Sequence, residues 1–357
     1  MEYRDLRARA RSKPSGIEFP ARQTRGSLAL QGGIAARRFL LFAVLPLLAT
    51  CATGRRAAPL RPESELPPRA EAWSLFGAPL TPPALDAEIR RDRERQLEEA
   101  RRRFESAPDD REAVIWLGRR TAYLGRYREA IAIFSRGIEK FPNDPRLFRH
   151  RGHRFITIRR FDAAIADLES AAYLIEGRPD EIEPDGLPNA RNVPTSTLNS
   201  NVWYHLGLAL YLTGNFESAL AAYRECERFS TNPDMLVATS HWLYMTLRRL
   251  GHDGEAAAVL ESIREGMDVF ENRDYYRLLS MYQGKMDPET LLADATDSGN
   301  AVAAATVGYG VGNWHLYNGR REEAISRFRD ALAGGSWASF GYVAAEAELA
   351  RMGAAPR

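Results

Sequence analysis

The chain has 357 residues, of which 45% are hydrophobic and 27% are charged, a composition typical of a folded globular protein. The formal net charge is +2, but residues 1–51 carry nine basic and three acidic residues, so the rest of the chain is slightly acidic. This excludes the general basic footprint of a nucleic-acid-binding protein. Cys51 and Cys226, the two cysteines, lie far apart and exclude a disulfide framework.

An apolar run near the N-terminus predicts a signal peptide. Residues 39–49 are apolar, follow Arg37 and Arg38 directly, and lead to Cys51. A membrane span needs about twenty residues, whereas a basic segment, a short apolar segment and a cleavage site define a signal peptide. The ending Leu-Ala-Thr-Cys resembles a bacterial lipobox, which implies that Cys51 is lipidated. Because the segment before the apolar run is too long for a signal peptide, we expect translation to start after Met1. A buried N-terminal helix is the alternative.

The next segment predicts a linker. Residues 52–83 contain seven prolines and no helical periodicity, so we expect them to be extended and mobile. One apolar patch, residues 72–77, either docks on the folded body or belongs to the disordered linker. The folded domain is expected at residues 84–357.

Three stretches of this domain share one pattern. A glycine is followed after seven residues by a second glycine, after five more by an alanine, and after four more by an aromatic residue. A first glycine lets two helices approach closely, a second can end a helix in a left-handed cap, and the alanine fits a close helix contact. The three sets are Gly118, Gly125, Ala130 and Phe134; Gly207, Gly214, Ala219 and Tyr223; and Gly312, Gly319, Ala324 and Phe328.

The pattern resembles the tetratricopeptide repeat (TPR), a helix–turn–helix unit of about 34 residues. Gly118 and Gly152 are separated by one such repeat length. The resemblance implies an all-α TPR superhelix, an α-solenoid of about five to six repeats. A helix over residues 84–107 should precede the array, and a helix over residues 338–352 should cap it.

Two irregularities interrupt the array. Arg159 occupies the position of the turn glycine in the second repeat. The interval from Gly152 to Gly207 is longer than one repeat, because a segment rich in Pro, Asp, Asn and Gly is inserted at residues 177–199. We expect this insertion to be a long loop.

The C-terminal part carries a closer resemblance. The segment from "SHWLYMTLRRLG" through "ETLLADATDSGN" to "AAEAEL" is similar to the C-terminal half of bacterial lipoproteins of the NlpI type. Those proteins are outer-membrane lipoproteins that act as adaptors for periplasmic proteases and cell-wall hydrolases. The resemblance therefore implies an adaptor role with such a partner, and a homodimer is one possible assembly.

The resemblance also implies where a partner would bind. In TPR arrays the first helix of each repeat lines the concave face, and aromatic, arginine and histidine side chains there are typical binding hot spots. Packing between repeats is the alternative for single aromatics, notably Tyr123 and Trp242. The candidate groove residues are Arg119, Tyr123, Arg149, His153, Tyr204, His205, Tyr211, His241, Trp242, Arg248, Tyr309, Asn313 and Tyr317.

Catalytic and metal-binding motifs are not recognisable in the sequence. There is no phosphate-binding loop, Ser/His/Asp arrangement or HExxH motif. His150 and His153 have a spacing that could place both near one ion, but three neighbouring arginines would repel a cation. We therefore predict no catalytic residue, no metal site and no cofactor, and a structural role for Cys226.

These observations favour a non-catalytic, lipid-anchored TPR adaptor or scaffold of the bacterial cell envelope. It would bind a protein or peptide in its concave groove and would bind no nucleic acid. Ala52 after the lipidated cysteine favours the outer membrane, with the protein facing the periplasm. Two alternatives stay open: an enzyme-like pocket of Tyr204, His205 and His241 under the 178–197 loop, and a structural scaffold that stabilises an oligomer.

Overall fold

The structure, a computed structural model, describes residues 62–356. This part of the chain forms fourteen α-helices and one pair of two-residue β-strands, which confirms the all-α class. None of these helices is both long enough and apolar enough to cross a membrane. The predicted signal peptide, Cys51 and the first part of the linker lie outside the described residues.

The helices form six consecutive hairpins between a leading and a closing helix. The leading helix is α1 (Ala87–Ser106), and the closing helix is α14 (Phe340–Arg351). This arrangement confirms the α-solenoid and the number of repeats. The hairpins are α2 (Arg111–Tyr123) with α3 (Tyr127–Lys140), α4 (Pro145–Thr157) with α5 (Phe161–Ile175), α6 (Leu198–Thr213) with α7 (Phe216–Arg228), α8 (Pro233–Leu250) with α9 (Asp253–Glu261), α10 (Arg273–Tyr282) with α11 (Pro288–Asp297), and α12 (Ala301–Tyr317) with α13 (Arg321–Ala333).

Local sequence explains where the helices begin and end. Asp110, Asp144 and Asn232 each precede a first helix of a hairpin and accept a backbone N–H of its first turn. The turn inside most hairpins is a glycine in the left-handed conformation, such as Gly214 with φ of 83°. Arg159 takes the same conformation with φ of 64°, which a side chain disfavours. Its other contacts must offset that strain.

The repeated glycines and aromatics pack together as a unit. A Cβ atom added at Gly118 would lie 2.4 Å from the ring of Phe134, and one at Gly207 would lie 2.8 Å from the ring of Tyr223. The aromatic residue therefore packs on the glycine of its own repeat. The matching alanines are fully buried, as expected for a close helix contact: Ala130, Ala219 and Ala324.

The described part of the predicted linker, residues 62–83, packs on the repeats and is not a free tether. Strands β1 (Ala72–Trp73) and β2 (Pro79–Leu80) form a small antiparallel hairpin, and three of the four strand residues, Ala72, Trp73 and Leu80, are buried. Ala72 and Leu80 pack with Ile158 of the second repeat and with Trp337, just before α14. The apolar patch thus docks on the body, which is one of the two outcomes that the sequence left open.

The C-terminal helix does more than cap the array. Its residues 343–349 are buried all round, and α14 lies against α12, α13 and α6. Glu346 of α14 forms a fully buried ion pair with Arg159, whose guanidinium also donates to the carbonyl of Trp337 at 2.8 Å. The strained turn of the second repeat is therefore fixed to the C-terminal helix, and α14 occupies part of the concave face.

Candidate partner-binding groove

The segment between α5 and α6, residues 176–197, crosses the concave face, and we refer to it as the insertion loop. At one end the guanidinium of Arg119 donates to the carbonyl of Pro184 at 2.7 Å, and that of Arg120 donates to the carbonyl of Gly186 at 2.6 Å. At the other end Arg191 forms two hydrogen bonds with Asp268. The loop therefore bridges the first repeat and the segment before α10.

Close packing holds the loop against the first repeat. A Cβ atom at Gly186 would overlap the ring of Tyr123, so only glycine allows the backbone to lie this close. Ile182 and Thr197 pair as an isolated antiparallel bridge at the base of the loop. The insertion is thus a long loop, as expected, and it packs in an ordered conformation over the concave face.

A cavity of about 190 Å³ lies between the insertion loop and the first helices of repeats one and two. Helices α2, α4 and α6 and the loop each contribute polar or aromatic side chains to its wall. The side chains that matter for binding are Arg119, Tyr123, Arg149, His150, His153, Arg154, Glu183, Asp185 and Asn201. The structure therefore brings together four of the predicted groove residues: Arg119, Tyr123, Arg149 and His153.

The cavity wall contains more cationic than anionic groups. Arg149 pairs with Glu183 at 3.1 Å, and both side chains are less than a tenth exposed. Within residues 62–356, Arg119 and Arg154 have no carboxylate within ion-pair distance. Burial lowers the pKa of the Arg149 and Arg154 guanidinium groups, while burial raises the pKa of Asp185. The site is suited to a ligand that supplies negative charge.

The cavity histidines are neutral aromatic groups. Burial, assisted by the neighbouring arginines, lowers the pKa of His150 and His153 well below its usual value. The His150 ring stacks on Phe134, and its Nδ1 accepts a hydrogen bond from Arg149 at 3.0 Å. Among the described residues, no cluster of three His, Cys, Asp or Glu side chains could hold a metal ion.

Tyr204 and His205 lie at the boundary between the cavity and α14. The ring of Phe340, the first residue of α14, lies 5.7 Å from that of His205 and 6.3 Å from that of Tyr204. His205 donates through Nδ1 to the carbonyl of Asn201 at 2.6 Å, and burial lowers its pKa. Both residues are buried, so α14 covers them from solvent.

Three further predicted groove residues form an aromatic core between α6, α8 and α12. The ring of Trp242 stacks on Tyr309 at 5.8 Å and meets the edge of Tyr211 at 5.3 Å. The hydroxyl of Tyr309 donates to that of Tyr211 at 2.9 Å. All three are at most 1% exposed. For these residues the structure shows packing between repeats, the alternative that the sequence left open for Trp242.

His241 and Asn313 are also fully buried. The His241 ring stacks on Tyr275 at 4.5 Å and on Tyr282 at 5.9 Å, and neither ring nitrogen has a hydrogen-bond partner within residues 62–356. Burial lowers the pKa of His241 to about 3. The side-chain oxygen of Asn313 accepts a hydrogen bond from Arg249 at 3.2 Å. These residues therefore belong to the core.

The last two predicted groove residues, Arg248 and Tyr317, form a partly exposed rim at the C-terminal end of the array. The guanidinium of Arg248 lies 4.5 Å from the ring centre of Tyr317 and pairs with Asp253 at 2.8 Å. Because its charge is already paired, Arg248 differs from the unpaired Arg154 of the cavity.

The enzyme-like pocket considered from the sequence does not form. The insertion loop forms hydrogen bonds with α2 and with residues 268–271, and also with Asn201 and Asn232. Among the described residues, it forms none with the side chains of Tyr204, His205 or His241. His241 faces Tyr275 and Tyr282, whereas His205 faces His153 at 4.4 Å. The two histidines thus belong to different surroundings.

Sequence reasoning missed several residues that line the cavity. Arg154 lies on α4 outside the predicted groove positions, and Glu183 and Asp185 come from the insertion, which the repeat pattern does not describe. The only available signal was the run of charged residues near Arg149. Asn201 was also not identified from the sequence, because it lies in the first turn of α6 and outside the predicted groove positions.

Comparison with known proteins identifies the repeats. Family models of the tetratricopeptide repeat match residues 91–145, 117–181 and 200–232. No curated protein matches the chain. Two similar solved structures are YrrB, a TPR protein with an unusual peptide-binding site (15% identity, TM-score 0.38, covering 67% of this chain and 93% of YrrB), and MamA (17% identity, TM-score 0.34, covering 48% and 94%).

The family-model matches, the six helical hairpins, their left-handed turns and the glycine–aromatic packing all lead to one assignment. TPR folds are generally non-catalytic scaffolds for protein interaction. Residues 91–181 and 200–232 are therefore tetratricopeptide repeats, and the described chain is an all-α TPR solenoid.

Proposed function

We propose that the protein is a non-catalytic, lipid-anchored adaptor that holds a segment of a partner protein in the N-terminal half of its concave groove. The observation that carries this proposal is the cavity of about 190 Å³ beneath the insertion loop. It is lined by first helices of three different repeats, and its side chains retain polar atoms without partners. A buried polar atom without a partner costs about 1–3 kcal/mol, which a bound ligand would recover.

The C-terminal half of the groove offers less to a partner. Tyr211, Trp242 and Tyr309 are packed together there, and α14 covers Tyr204 and His205. A segment binding in that half would have to displace α14 and its buried ion pair between Arg159 and Glu346. The N-terminal half requires at most a shift of the insertion loop.

We propose the outer membrane as the site of action, with the protein facing the periplasm. The support is the order of Arg37-Arg38, the apolar run and Cys51, followed by Ala52. The partner class that the resemblance to NlpI-type lipoproteins suggests is an envelope protease or a cell-wall hydrolase. A homodimer remains compatible with this role.

Anchoring is tested by metabolic labelling with a fatty acid. The full chain should incorporate the label and fractionate with the outer membrane, and Cys51→Ser should abolish both. Cys226→Ser is the matched control, because this buried thiol is not part of the proposed lipobox. Equal labelling of the wild type and Cys51→Ser would contradict the anchor.

Partner binding is tested by photo-crosslinking in cells. A photoreactive residue at Leu187, which is 48% exposed in the insertion loop beside Gly186, should yield a discrete protein adduct that mass spectrometry identifies. The control position is Tyr173 on α5, which is 77% exposed but does not line the cavity. Equal adducts at both positions, or adducts at Tyr173 alone, would place the partner surface elsewhere.

A further inference from the structure

We infer that residues 62–83, which we call the strap, act as a latch that keeps α14 over the C-terminal half of the concave face. Release of the strap loosens α14 and uncovers Tyr204 and His205, so that the groove extends beyond the N-terminal cavity. The latch goes beyond the proposed function, and only the use of the uncovered surface by a partner rests on that function.

One buried carboxylate joins the strap to α14 and to the second repeat. Oε1 of Glu346 accepts the backbone N–H of Leu75 at 2.8 Å, and Oε2 pairs with the guanidinium of Arg159 at 2.8 Å. Glu346 is only 1% exposed. Because a buried carboxylate oxygen is costly to leave without a donor, loss of the Leu75 N–H weakens the attachment of α14.

A second contact lies just before α14. The indole Nε1 of Trp337 donates to the carbonyl of Thr81 at 2.8 Å, and the Trp337 carbonyl accepts from Arg159 at 2.8 Å. The Trp337 ring also packs with Ala72 and Leu80 of the strap. The strap therefore holds both the segment that leads into α14 and the middle of that helix.

The strap is also fixed to the first repeat. Glu71 accepts the backbone N–H of Arg128 through Oε2 at 2.8 Å. Pro82 lies against the turn between α2 and α3, where a Cβ atom added at Gly125 would lie 2.7 Å from it. Displacement of the strap at the first repeat is therefore transmitted to Leu75 and Thr81, which hold α14.

The strap has much less buried surface than the helix that it holds. Five of its residues are buried, whereas residues 343–349 of α14 are all buried. Segments with few buried contacts open at a lower free energy than the core of a fold. The strap therefore detaches before α14 does, as a latch requires. The buried strap residues are Ala70, Ala72, Trp73, Ser74 and Leu80.

The test removes the N–H of Leu75 without a change in α14. Leu75 is the second residue of a turn that the N–H of Gly77 closes onto the carbonyl of Ser74, and its φ is not positive. Proline is favoured at this turn position, so Leu75→Pro deletes the donor to Glu346 and keeps the turn. Leu75→Ala is the matched control, because it shortens the same side chain and keeps the N–H.

The readout is the rate of thiol labelling in the full chain, purified in detergent. Ala345→Cys places a thiol on a buried position of α14, and native Cys226, buried in α7, reports opening of the repeats. We expect Leu75→Pro to raise labelling at position 345 about tenfold, the effect of one hydrogen bond to a charged group, without faster labelling of Cys226. Leu75→Ala should leave labelling at position 345 close to that of the parent protein.

A second pair of variants approaches the latch from its other end. Glu71→Ala releases the strap from the first repeat and touches no residue of α14, so labelling at position 345 should again rise. Glu129→Ala removes a nearby exposed carboxylate and should change nothing. If Leu75→Pro does not fold, this pair decides the same question.

The inference is overturned if Leu75→Pro and Leu75→Ala label position 345 alike, or if Glu71→Ala and Glu129→Ala do so. It is also overturned if Cys226 is labelled in parallel with position 345, because α14 would then open only together with the repeats. Its failure is distinguishable from failure of the proposed function. Absence of a partner adduct at Leu187 would contradict the adaptor role and leave the latch intact.

Discussion

The two halves of the concave face are built from equivalent positions of the repeats, yet they have different covers. In the N-terminal half a polar loop lies over Arg119, Tyr123 and Arg149 and leaves a cavity. In the C-terminal half the mostly small and apolar helix α14 lies over Tyr204 and His205 and leaves both buried. The same repeat position therefore lines a cavity or belongs to the core according to which segment covers it.

The insertion loop and helix α14 also differ in the contacts that hold them on the concave face. The insertion loop is held by hydrogen bonds from Arg119 and Arg120 to its backbone carbonyls. It also carries one buried ion pair, Arg149–Glu183, and one exposed pair, Arg191–Asp268. Helix α14 is held by apolar burial and by the fully buried pair Arg159–Glu346. Exposed ion pairs contribute about 0–1 kcal/mol, whereas breaking a buried one costs about 3–5 kcal/mol. Most residues of the insertion loop are exposed, whereas residues 343–349 of α14 are all buried, so we expect the loop to move more easily than α14.

The largest effect should follow from breaking the buried pair. Glu346→Ala leaves the guanidinium of Arg159 buried without a carboxylate, and we expect the free energy of unfolding to fall by about 3–5 kcal/mol in urea denaturation of the full chain. Arg159→Gly should also destabilise the fold, because it leaves the buried carboxylate of Glu346 without its cation. We expect this loss even though most other turns carry glycine at this position. Glu98→Ala, which removes an exposed partner of Arg101, is the control and should change stability by less than about 1 kcal/mol.

A smaller loss should follow from overpacking inside a hairpin. Ala130→Leu and Ala219→Leu each place a larger side chain at a fully buried helix contact, so the free energy of unfolding should fall by roughly 1–3 kcal/mol. Ala132→Leu on the exposed face of α3 is the matched control. Unchanged thermal midpoints for both buried variants would show that the repeat register is misplaced.

The buried histidine of the C-terminal half predicts a pH dependence. Because burial lowers the pKa of His241 from 6.5 to about 3, the unfolded chain binds a proton below about pH 6.5 that the folded chain does not bind. Stability is therefore lost as the pH falls from about 6.5 to about 3, at about 1.4 kcal/mol per pH unit for this residue.

His241→Phe removes that contribution and keeps a planar ring against Tyr275. Below about pH 6.5 the slope of the unfolding free energy against pH should therefore decrease by about 1.4 kcal/mol per pH unit, the value for one proton. His252→Gln replaces a partly exposed histidine and keeps the buried ones, so the slope should remain. An unaltered slope for His241→Phe would show that this residue is hydrated in solution.

The smallest effect on stability should come from the loop. Gly186→Ala forces the insertion loop away from Tyr123, so hydrogen exchange should accelerate in residues 180–197. The free energy of unfolding should fall by about 1 kcal/mol, since we expect the loop to shift at Gly186 and lose one hydrogen bond, that of Arg120, while its ion pairs remain. Acceleration that extends into α14 would contradict the independence of the two covers.

Much of the fold could be predicted from the sequence, because the residues that pack each hairpin recur at fixed spacings. Gly207, Gly214, Ala219 and Tyr223 each have a structural reason within one hairpin, and the matching sets predict the same hairpin elsewhere. The docking of the N-terminal residues 62–83 and the path of α14 could not be predicted. Both depend on contacts between segments at opposite ends of the described chain, such as the hydrogen bond from the Leu75 backbone to Glu346.

The candidate site could be predicted only in part. The structure places Arg119, Tyr123 and Arg149 at the cavity, on the first helices of the repeats where helix geometry predicts inward-facing positions. Which inward positions remain accessible depends on the insertion loop and α14, and neither follows the repeat pattern. Trp242 and Tyr309 therefore looked equivalent to Tyr123 in the sequence and are core residues in the structure.

The division of the groove is tested most directly by capture of the crosslinked partner with two matched arginine variants of the full chain. Arg154 lines the N-terminal cavity and has no paired carboxylate in the part of the chain that the structure describes, whereas Arg248 lies at the C-terminal rim and pairs with Asp253. We expect Arg154→Gln to reduce the amount of captured partner about tenfold and Arg248→Gln to leave it unchanged, with helical content preserved in both. Loss of capture with Arg248→Gln alone would show that the partner occupies the C-terminal half and that α14 moves to admit it.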